Sequence, residues 1–139
     1  MTQNDSSFKM KKENFEKAMN AVKALAQCQD KMSGLSSYGD GKKSYHFAWV
    51  DMAELARAKN IEDALRAWRW SVFFDENGDI TGIQFEGEKL GDDKVLFDAI
   101  APFVGNGSFI EMSGEDSAMW RWVFKNGEMV EKWPEIKWE

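Results

Sequence analysis

The sequence predicts an α+β fold, in which helices cover one face of an antiparallel sheet. Segments of alternating apolar residues are interleaved with segments of helical periodicity. Asn-Gly pairs at 77–78 and 126–127 separate apolar runs, as two-residue hairpin turns do. The chain has 139 residues, of which 43% are hydrophobic, so it can bury the core of a single domain.

The first third of the chain is expected to hold one helix between two irregular segments. Residues 1–12 are polar and rich in lysine, which favours a mobile tail. Apolar residues with helical spacing predict a helix over residues 13–31. Residues 32–42 are rich in Gly and Ser and are expected to be a linker. Residues 13–139 as a whole are expected to form one domain.

Residues 43–113 are expected to form a ferredoxin-like core, with elements in the order β-α-β-β-α-β. Alternating aromatic residues from Tyr45 to Trp49 predict its first strand, and Asp51 is suited to cap the helix that follows. Apolar runs on either side of Asn77-Gly78 predict two strands of a hairpin. The right-handed crossover rule places both helices of this split βαβ fold on one face of the sheet.

The later elements complete this core and extend it. Asp92 or Asp93 is expected to begin the second helix, which should end close to Pro102. A strand over residues 108–112 then completes the core. Residues 117–138 are expected to form a C-terminal β-hairpin that extends the sheet.

Composition excludes several kinds of site. The single cysteine, Cys28, excludes an intramolecular disulfide, and the single histidine, His46, excludes a metal site built from several histidines. The net charge of −6 is opposite to that of most nucleic-acid-binding proteins. The sequence has no apolar run long enough to span a bilayer, so a cytoplasmic protein without a membrane partner is expected.

Negative charge is concentrated between residues 75 and 98, which hold eight acidic residues and two lysines. One interpretation is a solvated face that aids solubility, and the other is a docking surface for a basic partner. The residues predicted to bind such a partner are Asp75, Glu76, Asp79, Glu86, Glu88, Asp92 and Asp93.

A second candidate surface lies on the strand over residues 119–125. Trp120, Trp122 and Phe124 share one face of this strand, and Arg121 lies between the two tryptophans. RNA-recognition sheets stack bases on such aromatic residues, which suggests a single-stranded nucleic-acid-binding sheet. Packing of the same side chains in the core between sheet and helices is the alternative interpretation.

No catalytic set is recognisable, so neither catalytic residues nor a cofactor or metal is predicted. Asp92 and Asp93 with Asp98 could serve as carboxylate ligands for Mg²⁺ in a small metal-dependent hydrolase. Carboxylates at solvent-exposed helical positions are common, so this cluster carries little weight.

The C-terminal half resembles small uncharacterised proteins carried by bacteriophages, prophages and other mobile elements. The similar segments fall within residues 61–125, and they are Glu88–Asp93, Leu96–Val104, Gly107–Met112, Gly114–Asp116 and Trp120–Phe124. Ser117 stands where the resemblance implies a glycine. These are fold-defining positions, and the resemblance implies a setting: small acidic proteins of this origin often antagonise host defence, including as anti-CRISPR proteins.

The sequence therefore favours a non-enzymatic inhibitor protein of a phage or mobile element, acting in the cytoplasm of a bacterial host. Its expected partner is a host protein with a basic surface, such as a nucleic-acid-handling defence complex. The nucleic-acid-binding sheet and the metal-dependent hydrolase remain the alternatives. An exposed sheet edge or aromatic face would favour a homodimer.

Overall fold

The computed structural model describes residues 1–37, 39, 41 and 43–135, which form an α+β fold. The strands are β1 (Thr2–Ser7), β2 (Gly34–Ser37), β3 (Lys43–His46), β4 (Trp70–Phe74), β5 (Ile80–Phe85), β6 (Phe109–Ser113), β7 (Met119–Lys125) and β8 (Glu128–Lys132). The α-helices are α1 (Phe15–Ala24), α2 (Met52–Arg57), α3 (Ile61–Ala67) and α4 (Asp93–Ile100). The predicted α+β class is confirmed.

The strands pair antiparallel in three groups, with orders β1-β6-β7-β8, β2-β3 and β4-β5. The expected ferredoxin-like arrangement is not found among these described pairings. The reason is that β1 and β2, which the sequence pattern assigns to a tail and a linker, supply the neighbours of β6 and β3. The β4–β5 hairpin forms around Asn77-Gly78, as predicted.

Residues 1–12 are not a tail in the structure, which corrects that expectation. Strand β1 pairs with β6 from Thr2 opposite Ser113 to Ser7 opposite Phe109. The side chains of Phe8 and Met10 are buried in the core. A polar strand with only two buried apolar anchors gives almost no periodic signal, which is why the sequence pattern missed it.

Strand β1 also reaches β5 on its other side. Met10 and Ile80 exchange backbone hydrogen bonds of 3.0 and 2.8 Å. Further along, the side chain of Gln3 spans the gap: its Nε2 donates to the Ile83 carbonyl at 2.8 Å, and its Oε1 accepts from the Phe85 N–H at 2.7 Å. The side-chain amide thus replaces a peptide group, and β1 connects the four-stranded group to the β4–β5 hairpin.

The predicted N-terminal helix is shorter as an α-helix than residues 13–31. Helix α1 ends at Ala24, and the chain continues in 3-10 turns over residues 25–27 and 29–31. The expected linker contains β2, which pairs residues 34–37 with β3. Linker residues 38, 40 and 42 lie outside the described residues.

The core lies between the sheet strands and the helices and is dominated by aromatic side chains. The Phe97 ring of α4 lies 5.0 Å from Trp70 and 5.1 Å from Trp122, and the two indoles are 6.2 Å apart edge to face. Trp70 and Trp122 end the two Trp-Arg-Trp triplets of the sequence. The contact joins β4 to β7 through the core, where such aromatic pairs add to the gain from burial.

Strands β7 and β8 form the C-terminal hairpin, and its turn residues Asn126 and Gly127 have the positive φ angles of a type I′ turn. Residues 136–138 of the predicted hairpin segment lie outside the described residues. Ser117 has a φ of 63°, the left-handed region that favours the glycine implied there by the resemblance. Among the described residues, no helix combines the length and the apolar character that crossing a membrane requires.

Candidate protein-binding surface

The seven acidic residues predicted to bind a partner fall into two groups at opposite ends of β5. The first group lies at the β4–β5 turn and contains Asp75, Glu76 and Asp79; the second follows β5 and contains Glu86, Glu88, Asp92 and Asp93. At the usual rise per strand residue, the length of β5 separates the groups by roughly 17 Å. All seven residues together cannot contact a partner, because Asp93 is buried; a docking role for the exposed acids stays a prediction.

Two acids of the first group stabilise the turn itself. The Asp75 carboxylate accepts hydrogen bonds from the N–H groups of Asn77 and Asp79, at 2.9 and 3.0 Å. The Asp79 carboxylate accepts from the Lys12 N–H at 2.8 Å. In this group only Glu76 is exposed, and Asp75 and Asp79 are half-buried.

Asp92 binds the β2–β3 hairpin region to the beginning of α4. Its Oδ2 accepts from the N–H and the hydroxyl of Ser33, at 3.2 and 2.9 Å, and from the Ala48 N–H at 2.9 Å. Because the Asp92 carboxylate already accepts three hydrogen bonds within the protein, its main role is to stabilise the fold and not to attract a partner.

Asp93 is buried, with 1% of its surface exposed, and cannot contact a partner. It accepts hydrogen bonds from Trp70 Nε1 at 2.9 Å, Arg69 Nη2 at 3.1 Å and the Gly91 N–H at 3.0 Å. Burial raises the pKa of Asp93, while the Trp70 hydrogen bond and the Arg69 charge act in the opposite direction. The prediction that Asp93 belongs to the binding surface is corrected.

Arg69 fixes the loop between β5 and α4. Its φ of 73° turns the chain sharply before β4, and its Nη1 donates to the Lys89 carbonyl at 2.7 Å. At Gly91 an added Cβ would lie 2.6 Å from the Ala48 carbonyl oxygen and 3.0 Å from Arg69 Nη2, so only glycine fits there; at Gly87 it would lie 2.8 Å from Arg69 Nη1, which would have to move. The loop that carries Glu88 and Leu90 is thereby held against the core.

The aromatic surface predicted on β7 is buried. Trp120, Trp122 and Phe124 all lie in the core, which is the packing alternative of the sequence interpretation. Arg121 lies on the opposite, open face, where its Nε donates to Glu111 at 2.8 Å. Bases cannot stack on the three aromatic rings, so the nucleic-acid-binding sheet is not supported.

The carboxylates suggested for a hydrolase are not assembled into a metal site. Asp92 and Asp93 are occupied by the donors described above, and Asp98 lies more than one helical turn further along α4. Among the described ranges 1–37 and 43–135, no group of three His, Cys, Asp or Glu side chains is placed to hold a metal ion.

A groove of about 350 Å³ lies beside this loop and was not predicted from the sequence. Leu90 and Trp133 line it and are each 55% exposed, whereas Trp120, which also lines it, is buried. Met1 and Ala118 complete the apolar lining. We call this the Leu90–Trp133 groove.

Trp133 is positioned by the core behind it. Its ring lies 5.5 Å from that of Trp120, and its Nε1 donates to Glu131 Oε1 at 3.1 Å. The second oxygen of Glu131 accepts from Trp122 Nε1 at 2.9 Å. Because one carboxylate holds both indoles, the exposed Trp133 has a defined orientation.

The described charged groups that line the groove are two acids and two cations, and a third acid lies close by in the sequence. Glu115 and Asp116 lie on its rim and are exposed, and Glu88, also exposed, stands two residues before Leu90. Lys89 and the amino group of Met1, which donates to the Glu88 carbonyl at 2.6 Å, add positive charge. Of the predicted acids, none lines the groove, and Glu88 is an exposed neighbour of it in sequence. Glu115 and Asp116 were missed because the Gly-Glu-Asp-Ser segment that contains them is also typical of a simple turn.

No family model, curated protein or solved structure matches the chain. The resemblance to proteins of mobile elements therefore stays a prediction.

Proposed function

We propose that this protein is a non-enzymatic binding protein that holds a segment of another protein in the Leu90–Trp133 groove. The observation that carries the proposal is the pair of exposed apolar side chains, Leu90 and Trp133, that line one recess together with the buried Trp120. Apolar walls with a polar rim are the anatomy of a protein-binding site.

Trp133 is the residue that contributes most to binding in this account. Tryptophan is enriched among the residues that dominate binding energy, because it buries a large area at a low cost in conformational entropy. The contacts of Trp133 with Trp120 and Glu131 fix its orientation before a partner arrives. A pre-organised aromatic anchor binds more tightly than a mobile one.

The charge of the protein selects the partner. The net charge is −6, the exposed Glu115 and Asp116 line the groove, and the exposed Glu88 stands two residues before Leu90. A partner segment with an apolar side chain between lysines or arginines is complementary to this surface and is attracted to it in low salt.

The proposal also covers the biological origin of the protein and the kind of protein that it inhibits. The resemblance to proteins of bacteriophages and other mobile elements favours an inhibitor that occupies a basic surface of a protein in the bacterial host. A nucleic-acid-handling defence complex has such a surface, so an anti-CRISPR-like role is consistent with it.

Affinity capture from a bacterial host lysate at low and moderate salt tests the proposal. The bait proteins are the wild type and a variant carrying Glu88→Lys, Glu115→Lys and Asp116→Lys. We expect the wild type to retain a protein with a basic surface that the variant does not retain, because reversing these charges removes complementarity at the groove.

A second variant, with Glu13→Lys, Glu16→Lys and Glu128→Lys, is the matched control. These three glutamates are exposed, do not line the groove, and give the same change of net charge. Retention of the protein by both variants, or its loss from both, would contradict a role for the groove. An empty eluate at low salt would contradict the binding function itself.

A further inference from the structure

A second recess, of about 290 Å³, meets the Leu90–Trp133 groove at two tryptophans, because Trp120 and Trp133 line both. The other described residues that line it lie outside the groove and are Glu111, Met119, Arg121, Lys132 and Pro134. We name it the Arg121 recess. Given the proposed function, on which this step rests, we propose that the Arg121 recess binds a carboxylate side chain of the same partner segment whose apolar side chain lies in the groove.

The guanidinium of Arg121 is held in place but has donors to spare. Its Nε donates to Glu111 Oε1 at 2.8 Å, and its central carbon lies 5.3 Å from the centre of the Phe109 ring. Among the residues that the structure describes, neither terminal nitrogen of Arg121 has a hydrogen-bond partner, and the side chain is 54% exposed. Two such nitrogens match the two oxygens of a carboxylate, so Arg121 is pre-organised to receive one.

The two Trp-Arg-Trp triplets of the sequence use their arginines differently. Arg69, in the first triplet, donates from Nη1 to the Lys89 carbonyl and from Nη2 to Asp93, and its side chain is only 16% exposed. Both of its terminal nitrogens are therefore used inside the protein. Arg121, in the second triplet, keeps the same two nitrogens for a partner outside the described residues.

The charge of the Arg121 recess favours an acidic occupant. Arg121 lies directly opposite Glu111 on β6 and directly opposite Lys132 on β8. Side chains of cross-strand partners lie next to each other on one face of a sheet, so the two cations repel each other. Among the described lining residues, the one carboxylate of Glu111 faces these two cations. A second carboxylate, supplied by the partner, balances the charge.

The size and position of the Arg121 recess favour a side chain of the segment that already lies in the groove. Pockets for small molecules usually enclose about 300–1,000 Å³, and this recess is at the lower limit of that range. Because Trp120 and Trp133 line both recesses, a segment packed on Trp133 reaches the second recess within a few residues. The segment therefore carries an aspartate or glutamate on one side of its apolar residue, beyond the lysines or arginines next to that residue. This acidic residue fixes the direction in which the segment binds.

Selection from a display library of short random peptides tests this subsite. The baits are the wild type, Trp133→Ala, and a variant with Arg121→Gln and Lys132→Gln. We expect the peptides that the wild type selects and Trp133→Ala does not select to carry an apolar residue, a neighbouring Lys or Arg, and an Asp or Glu on one side. The variant with both glutamines should still select the apolar and basic residues but lose the preference for Asp or Glu. Because it must keep the first preference, loss of the second cannot come from unfolding.

A variant with Lys9→Gln and Lys125→Gln is the matched control. Both lysines are exposed, line neither recess, and give the same change of net charge, so this variant should select the same peptides as the wild type.

Replacing the acidic residue of a selected peptide by its amide gives the quantitative test. Binding to the wild type should weaken at least about tenfold, whereas binding to the variant with Arg121→Gln and Lys132→Gln should not change. Peptides that depend on Trp133 but show no preference for Asp or Glu overturn the carboxylate subsite and leave the proposed function standing. The same holds for an acidic preference that persists without Arg121 and Lys132, or that the control variant also loses. If no selected peptide depends on Trp133, the proposed function fails, and the subsite fails with it.

Discussion

Arg69 and Asp93 form an ion pair with 3.1 Å between Nη2 and Oδ2, and the carboxylate is buried. Arg69 precedes β4 and Asp93 begins α4, so the pair joins a strand to a helix that lies 24 residues later. The same guanidinium binds the Lys89 carbonyl next to Leu90. The position of one wall of the Leu90–Trp133 groove therefore depends on this pair.

Replacing Asp93 tests the importance of the buried acceptor. Asp93→Ala leaves the Trp70, Arg69 and Gly91 donors without an acceptor, and we expect it to lower the free energy of unfolding by about 3 kcal/mol. Asp93→Asn keeps one carbonyl acceptor and should cost less than half as much. Urea unfolding gives both values, and the exposed Asp116→Ala is the control, expected to stay within about 0.5 kcal/mol of the wild type. Equal stability of Asp93→Ala and Asp116→Ala would contradict this role.

The same residue predicts the direction of a pH effect. Burial raises the pKa of Asp93 above its ordinary value of 3.8, so between the two values the folded state binds more protons than the unfolded state. The contribution of Asp93 to stability therefore increases as pH falls through the folded-state pKa, and it is complete below the unfolded value. The free energy of unfolding of the wild type, relative to Asp93→Asn, should rise as the pH is lowered from 7 towards 4. A relative loss of stability over that range would show that the pKa is lowered.

The side chain of Gln3 gives a separate prediction about how β1 is attached. Gln3→Ala removes two hydrogen bonds to β5, and the expected loss of stability is about 1–2 kcal/mol. Amide hydrogen exchange at Phe85 should become faster, because its N–H loses the Gln3 acceptor. Thr2→Ala, at an exposed neighbouring position, should leave exchange at Phe85 unchanged. Unchanged exchange in Gln3→Ala would mean that the bridge does not persist in solution.

The tryptophans of the C-terminal hairpin region should separate into core and surface residues. Trp122 is fully buried against Phe97 and Trp70, so Trp122→Ala is expected to lower the free energy of unfolding by about 4 kcal/mol. Trp133 is exposed, and Trp133→Ala should cost less than about 1 kcal/mol. Denaturant unfolding measures both. The reverse order would place Trp122, and not Trp133, on the surface.

Sequence periodicity was sufficient to predict most of the regular elements and their class. The helix around residues 93–100, the β4–β5 hairpin and the hairpin at Asn126-Gly127 all follow from apolar spacing and turn residues. The pairing between strands did not follow, because β1 is polar and attaches through Phe8, Met10 and Gln3, which form no periodic pattern. Because the sequence pattern missed β1, it assigned the wrong neighbours to the other strands and predicted a ferredoxin-like arrangement.

The candidate site was only partly predictable, because burial decides the role of a charged residue and the sequence does not show burial. Asp93 and Glu88 look alike in an acidic segment, yet one is an internal acceptor and the other is exposed. Leu90 and Trp133 lie in irregular segments, where apolar residues have no period to interpret. A leucine in a Gly-rich loop and a tryptophan before proline were the signals that could have identified the groove.

The affinity of the captured partner for Trp133→Ala tests the central claim most directly. Isothermal titration of the purified partner should give a dissociation constant at least about tenfold weaker for Trp133→Ala than for the wild type. Val130→Ala, which removes another exposed apolar side chain from β8, should bind as the wild type does. Equal affinity of Trp133→Ala and the wild type would contradict binding in the Leu90–Trp133 groove.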